Sequence, residues 1–562
     1  MEGYVVDILP GAGSATLILN GFKTVEVKTT FPIYIETRDP DRVAQHPDVV
    51  YYEGEQWRYL DGREVTLHRF ELRDLRAYYH LSKRYRVLNE LPTVLSQTLF
   101  RLGALPFRKV SIRRGEVEIV KDELDLSELS IASVVTEDWF GPSPTGHKFR
   151  ANLNGREMTG DLDDLSLRAD VAECMGRACH KIRASVKLNM EEKRAPVSVK
   201  GLIEWSYVSR TPVRELMRAT IGKALTTNEA WVAFKRRVII PDVVPRVEKE
   251  RNLEQLRSID KGGLVLFPKL GCFNDVVQVD FSSLYPSIII KYNISAETVD
   301  ACHDVVTEIG HDLCYKEKGI VPEALEWLVN RKEYLKSVDP ERAEAVKWIL
   351  VASFGYLGYR NSKFGKIEAY ELVTHFARKT LRNALEIASE RGLEVIHGIV
   401  DSLMVKGRDV DDFVREVQER TGFKLKAEPM SWVVLTSRRD GNPYPMRYFG
   451  RTSDGVKMKG VIRDNMPNLV KDFLEDLRKL MSSASDCEEL MTLRAEVMRL
   501  LRGYLERVVS GEPRDYVMWV KGIPYVRGVR GFYDARNGFL GRDLEYYRQY
   551  LSRTVRVVYP WL

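Results

Sequence analysis

Two aspartates in this sequence stand beside short apolar runs, where metal-assisted phosphate chemistry places its carboxylates. Asp280 closes "DVVQVD" and is followed at once by "FSSLYPSIIIKYNIS", while Asp401 lies inside "HGIVDSLMVKG". A carboxylate at a strand end can hold Mg²⁺ with its side chain while the next carbonyl, that of Phe281, adds another oxygen. The N–H groups of the following turn, at Ser283 and Leu284, can point at phosphates, and Tyr285, just before Pro286, presents a ring near the same site. A second acid two residues before Asp401 would complete a pair within one hairpin, but position 399 is Ile. A lone Asp at a strand end is more often a turn or cap residue, so neither aspartate carries an assignment alone.

The elements that must position these residues are legible in the pattern. Residues 1–120 alternate apolar and polar side chains, as in "ATLILNGFKTVEV" and "FPIYIET", and turn helical near "LRDLRAYYHLSKRY", which predicts a mixed α/β domain. Residues 121–200 combine acidic turns, a Gly-Pro loop at "FGPSPTGHKF" and a predicted helix at "ADVAECMGRACHKIRASVKL". From 201 the chain is helical until the strand that ends at Asp280. Helices are predicted over 322–339 and 341–358, with "DPE" as stop and restart, and a third ends at Gly392 before "LEVIHGIV". A hairpin is predicted around Asp454-Gly455, and a helical basic region follows Pro467.

The whole chain of 562 residues must divide into several domains, and its 44% apolar and 30% charged content is that of a water-soluble protein. No run approaches the ~20 apolar residues of a membrane span, and the N-terminus lacks a signal-peptide pattern, so a cytoplasmic protein is expected. Residues 441–562 hold 21 Lys and Arg against 15 Asp and Glu, so the entire net charge of +6 lies there. That excess is either a solvated helical face or a surface following a phosphate backbone. The six cysteines suggest no disulfide framework. Cys174 and Cys179 read as buried or incidental, whereas Cys302 and Cys314 suit either a disulfide or, with His303 and His311, a metal.

"DFSSLYPSI" resembles the first palm motif of family-B DNA polymerases over nine consecutive positions. "KWILVASFGYLG" (347–358) resembles the family's fingers helix, and "HGIVDS" its second palm motif, Tyr-Gly-Asp-Thr-Asp-Ser. Order and spacing agree, and the resemblance extends over residues 200–465. It implies that Asp280 and Asp401 are the catalytic, metal-binding pair, with the Phe281 carbonyl beside them, bridging two Mg²⁺ ions or Mn²⁺ in their place. The absent acid, at Ile399, is the less critical one. Phe281, Ser283, Leu284 and Tyr285 would surround the nucleotide, with the Tyr285 ring beneath the deoxyribose. Lys347 would meet the triphosphate, while Val351 and Phe354 replace the family's Asn and Tyr near the nascent base pair.

Other departures point to the short, divergent archaeal second branch of the family. The family's Arg and Lys four residues apart align with Lys332 and Lys336, so the adjacent Arg331 would have to supply a bidentate clamp. Of the Lys-Lys-Arg-Tyr that grips the primer duplex, only Arg447 and Tyr448 remain. The Tyr-x-Gly-Gly before the first motif is reduced to Gly262-Gly263, with Asp260 in the Tyr position, and Glu428 falls where a further palm carboxylate often lies. The family's proofreading nuclease begins with Asp-x-Glu, but Glu137 and Asp138 are adjacent here and Asp161 and Asp163 sit in a polar turn.

The expected fold is therefore α/β and multidomain: a right-hand polymerase of palm, fingers and thumb, with an N-terminal mixed α/β domain and a shrunken exonuclease-like remnant. The expected divisions are 1–120 N-terminal, 121–200 remnant, 201–300 first palm part, 301–365 fingers, 366–450 second palm part and 451–562 thumb. The expected function is template-directed DNA synthesis from deoxynucleoside triphosphates on primer–template DNA, without proofreading, in repair or lesion bypass. A sliding clamp or other replication factors would be further partners. The alternative is a weak or inactive polymerase-like DNA-binding scaffold, favoured by Ile399 and Val351 and opposed by the surviving pair. A nuclease using the palm metals ranks third.

Overall fold

Alternating apolar residues in the first 120 positions pair into two antiparallel sheets. One orders its strands as Lys23–Lys28, Ser14–Leu19, Glu2–Pro10, Lys109–Arg113 and Glu116–Lys121, and the other as Val49–Arg58, Glu64–Leu72, Phe31–Ile35 and Val87–Leu88. Helices Arg76–Ser82 and Val94–Leu102 bury Ala77, Leu81 and Leu99. The computed structural model describes residues 1–136, 148–190, 192–242, 250–438, 440–520 and 523–562. It divides the chain into two compact units: the first takes the N-terminal stretches up to Asp260 together with Tyr285–Val373, the second Lys261–Leu284 with Thr374–Leu562.

The helix predicted through "ADVAECMGRACHKIRASVKL" is instead two parallel strands, Arg168–Cys174 and Arg183–Asn189, joined by the single turn Ala178–Lys181. They extend a five-stranded sheet in which Ile131–Thr136, Lys148–Leu153 and Arg156–Asp161 run antiparallel. Ala169 through Cys174 are all buried. A strand covered on both faces loses the alternation that marks a half-exposed one, and its run of small and apolar residues then resembles a helix.

Further along the first unit, helices Ile320–Val338 and Pro340–Gly358 form where the sequence places them. Asp339 separates them, accepting from the N–H groups of Glu341 and Arg342, with Pro340 in the first turn. A buried ion cluster holds the pair in place. Glu204, wholly buried on the helix Val199–Ser209, accepts from Arg331 Nε at 2.7 Å and from Arg342 Nε at 2.7 Å.

The second unit is built on a seven-stranded antiparallel sheet. Its order is Val265–Leu266, Glu394–Ile399, Ser402–Lys406, Gly271–Phe281, Leu425–Ser437, Pro443–Thr452 and Gly455–Lys459. The last two strands are the hairpin predicted at Asp454-Gly455. Trp432, Val434 and Phe449 of the sheet pack with Phe473, Leu477, Tyr547 and Leu551 of the C-terminal helices in one core. Between those helices lies a three-stranded sheet, Met518–Val520, Ile523–Gly528 and Gly531–Asp534. The helical reading of the C-terminal region omitted it.

The cysteine reading is also corrected. All six pair, as Cys174–Cys179, Cys272–Cys487 and Cys302–Cys314. Spacing along the chain could not show the second pair, 215 residues apart. The third bond takes up both sulfurs that the metal alternative required.

Candidate active site

Asp280 and Asp401 are brought together by the register of three adjacent strands. Asp280 lies opposite Ser402 on one side and Lys426 on the other. Asp401 occupies the two-residue turn between Glu394–Ile399 and Ser402–Lys406, and its carbonyl accepts from the Phe281 N–H at 2.8 Å. Val400, the other turn residue, has φ +56°, which is strained for a β-branched side chain. Outliers of this kind gather where a side chain must be aimed. Gly398 allows the hairpin to close: a Cβ there would stand 2.7 Å from the Leu403 side chain and 3.0 Å from that of Leu266.

The two carboxylates are electrically coupled. Desolvation of the Asp401 carboxyl raises its pKa first, the Asp280 charge raises it further, and the Lys459 charge opposes both. Asp401 is exposed as a residue, so solvent moderates both effects. Two oxygen-donor side chains that repel one another are a donor set suited to a hard divalent cation, which relieves that repulsion.

A buried relay orients Asp280. Gln278, 2% exposed, donates from Nε2 to Asp280 Oδ1 at 3.0 Å and lies 3.2 Å from Ser402 Oγ. Its Oε1 accepts from the Tyr448 hydroxyl at 2.6 Å. Tyr448 is 3% exposed, so this expected duplex-gripping residue is committed to the sheet interior, behind the carboxylate. Its strand neighbour Arg447 points to the other face, because adjacent residues alternate. There it donates to Thr436 Oγ1 at 2.9 Å and to the Ser437 carbonyl.

Glu428, opposite Gln278, accepts from Lys457 Nζ at 2.7 Å. Burial opposes the charge on Lys457, but Glu428, Tyr448 and Asp280 outweigh it and raise its pKa. Lys457 and Lys459 were missed in the sequence. Their spacing of two in "VKMKG" was the available signal, since it places both on one strand face. Gln278 and Ser402 had no such signal, because only the register gives them their roles.

In the first unit, the Tyr285 ring lies 4.3 Å from that of Phe354, which stacks at 4.4 Å on Tyr370. Lys332 and Lys336 share a helix face as predicted, and both reach Glu333, at 3.3 and 2.8 Å. Lys332 is buried and its pKa is lowered by that burial, whereas Lys336 is exposed. Lys347 is exposed beside Glu344 at 3.0 Å, and Val351 is 63% exposed. Arg331 is not available for a nucleotide clamp. It is 5% exposed, bound to Glu204 and Glu123, and lies over the Tyr207 ring at 4.3 Å.

In the turn after Asp280, Ser283 adopts φ +50° and Leu284 is buried. Gly262 takes φ +59°, and its carbonyl accepts from Arg378 at 2.6 Å; Gly263 follows it. In the middle region, Asp163 pairs with Lys181 at 3.0 Å, while Glu137 and Asp138 lie outside the described residues.

Residues 231–417 match the profile of DNA polymerase family B. The chain is 54% identical over 553 residues to DNA polymerase 2 of Saccharolobus solfataricus, covering 98% of this chain and 86% of that protein. It is 28% identical over 380 residues to DNA polymerase 2 of Aeropyrum pernix, covering 63% of this chain and 43% of that protein. The family B DNA polymerase from Pyrobaculum calidifontis shares the fold, with a TM-score of 0.68 at 18% identity over 100% of this chain and 99% of that one.

Proposed function

The chain belongs to DNA polymerase family B and performs template-directed DNA synthesis, and we propose that Asp280 and Asp401 are the carboxylates on which the reaction depends. The observation that carries this reading is their pairing across adjacent strands, held by the Phe281–Asp401 backbone hydrogen bond and the Gln278 relay. The Phe281 carbonyl completes the proposed metal ligands. Asp280, Asp401 and the Phe281 carbonyl would hold divalent ions, Mg²⁺ or Mn²⁺, whose charge would activate a primer 3′-hydroxyl and neutralise pyrophosphate. Gln278 orients one carboxylate oxygen of Asp280, Lys457 and Lys459 balance local negative charge, and Ile399 leaves the hairpin without a third acid. Lys336 and Lys347 are the exposed cations proposed to attract the triphosphate of a deoxynucleotide.

The finer reading is synthesis without proofreading, in repair or lesion bypass. It is supported by the middle region, whose two buried carboxylates, Asp170 and Glu173, serve the fold. Asp170 accepts from the N–H groups of Gly21 and Ser130, and Glu173 pairs with Lys193. A mismatched primer incubated with Mg²⁺ and no nucleotides should keep its length; steady 3′–5′ shortening that persists in Asp280→Asn overturns this point. A sliding clamp remains a proposed partner. Among the described residues no helix is long and apolar enough to cross a membrane.

Primer extension with all four deoxynucleotides tests the central assignment. Asp280→Asn and Asp401→Asn should each abolish extension, while Ile399→Asp should stay within about an order of magnitude of the parent. Extension that survives Asp401→Asn rejects the pair.

A further inference from the structure

The face of the sheet opposite the carboxylate relay carries a cavity of about 830 Å³ between the palm strands and the C-terminal helix Leu544–Val558. Arg447 reaches it by pointing away from Tyr448, and Arg438, Arg463, Arg553 and Arg556 converge on the same space. Among the described residues no Asp or Glu lines it, and none of the five arginines has a carboxylate ion-pair partner. Their contacts are with neutral groups: Arg553 donates to Gln549 at 3.0 Å, and Arg438 and Arg447 each lie 5.0 Å from the Tyr444 ring. Burial lowers the pKa of Arg447, and the Arg463 charge adds to the fall.

Gathering like charges in one cavity is unfavourable until an anion enters, and guanidinium groups suit phosphate oxygens in particular. The rest of the wall narrows the ligand class. Tyr546, Tyr550 and Trp561 offer aromatic surfaces on which a base can stack. The volume falls within the range of about 300–1,000 Å³ usual for small-molecule sites. The cavity also uses four of the arginines that make the last 122 residues basic, a charge excess that the carboxylate site does not explain.

We propose that this cavity is a second nucleotide site, which binds a phosphorylated nucleoside with its phosphate on the arginines and its base against the aromatic rings. The ligand is either a free nucleotide or the 5′-phosphorylated end of a single strand. Both present the same chemistry to the cavity.

Calorimetry on the full chain with excess EDTA tests this, since chelation removes the metal on which the carboxylate pair depends. The probes are dAMP and a 5′-phosphorylated thymidine tetranucleotide. Saturable binding of dAMP supports a free nucleotide, and binding of the tetranucleotide alone supports a strand end. The paired change Arg463→Glu with Arg553→Glu should weaken binding at least about tenfold at an unchanged melting temperature. Asp280→Asn should lose extension and keep this binding, which separates failure of the second site from failure of the polymerase assignment. The proposal is overturned if neither probe binds, if the double variant binds like the parent, or if Asp280→Asn abolishes binding. Should the double variant melt early, Trp561→Ala replaces it, with the same loss expected.

Discussion

The Tyr448 hydroxyl donates to Gln278 Oε1 at 2.6 Å, and Gln278 passes that constraint to Asp280 through a 3.0 Å hydrogen bond. A residue expected to face the primer duplex therefore acts from behind on the carboxylate proposed as catalytic. Groups that orient metal ligands typically change affinity or activity by 10–100-fold.

Tyr448→Phe should accordingly raise the Mg²⁺ concentration needed for half-maximal extension by about tenfold or more, with primer–template affinity little changed. A magnesium titration beside a duplex-binding isotherm reads both. A variant that loses duplex affinity at an unchanged magnesium requirement would restore the gripping role.

Tyr285 packs on Phe354, which continues onto Tyr370. Beneath a deoxyribose, the Tyr285 ring would exclude a ribose 2′-hydroxyl. Tyr285→Ala should raise the ratio of ribonucleotide to deoxynucleotide incorporation, while losing one aromatic contact worth about 0.5–1.5 kcal/mol. Single-nucleotide incorporation assays and a melting curve together check this. A large fall in melting temperature at a constant ratio would make the ring a core residue only.

Glu229 is 3% exposed, its Oε2 has no hydrogen-bond partner among the described residues, and burial, aided by the Glu297 charge, pushes its pKa from 4.5 to about 8. Its folded pKa lies above its unfolded one, so the folded state holds the extra proton. The contribution to stability is full below the ordinary carboxylate range and is lost as pH rises to about 8. Glu229→Gln should remove a slope of up to about 1.4 kcal/mol per pH unit across that window. Urea unfolding at several pH values measures it, and an unchanged slope would mean that Glu229 is ionised in the fold.

The Cys272–Cys487 bond joins residues 215 apart, whereas Cys302–Cys314 spans 12. Chain-entropy arguments assign about 5 kcal/mol to the longer loop and about 3 kcal/mol to the shorter. Cys272→Ser should therefore lower the melting temperature more than Cys302→Ser, and a reductant should bring the parent down toward them. Equal melting of parent and variants under oxidising conditions would contradict the pairing.

Motif and periodicity determined much of this protein before any coordinate. "DFSSLYPSI" and "HGIVDS" mark the two carboxylates of the proposed site because each lies within a contiguous string of residues. The helices on either side of Asp339 are written in their own local pattern, with a Pro and an Asp at the junction. What reads locally also forms locally. Tertiary structure decided everything that depends on which strand lies beside which. The Gln278–Tyr448 relay joins residues 170 apart, and the arginine cavity draws on separated stretches of chain from Leu270 to Trp561. The misread strand at Arg168–Cys174 failed for the same reason: burial on both faces, imposed by its neighbours, erased the alternation that would have announced it. Arg331 shows the limit most clearly. Its place beside the fingers motif suggested a ligand, and Glu204, 127 residues away, made it part of the core.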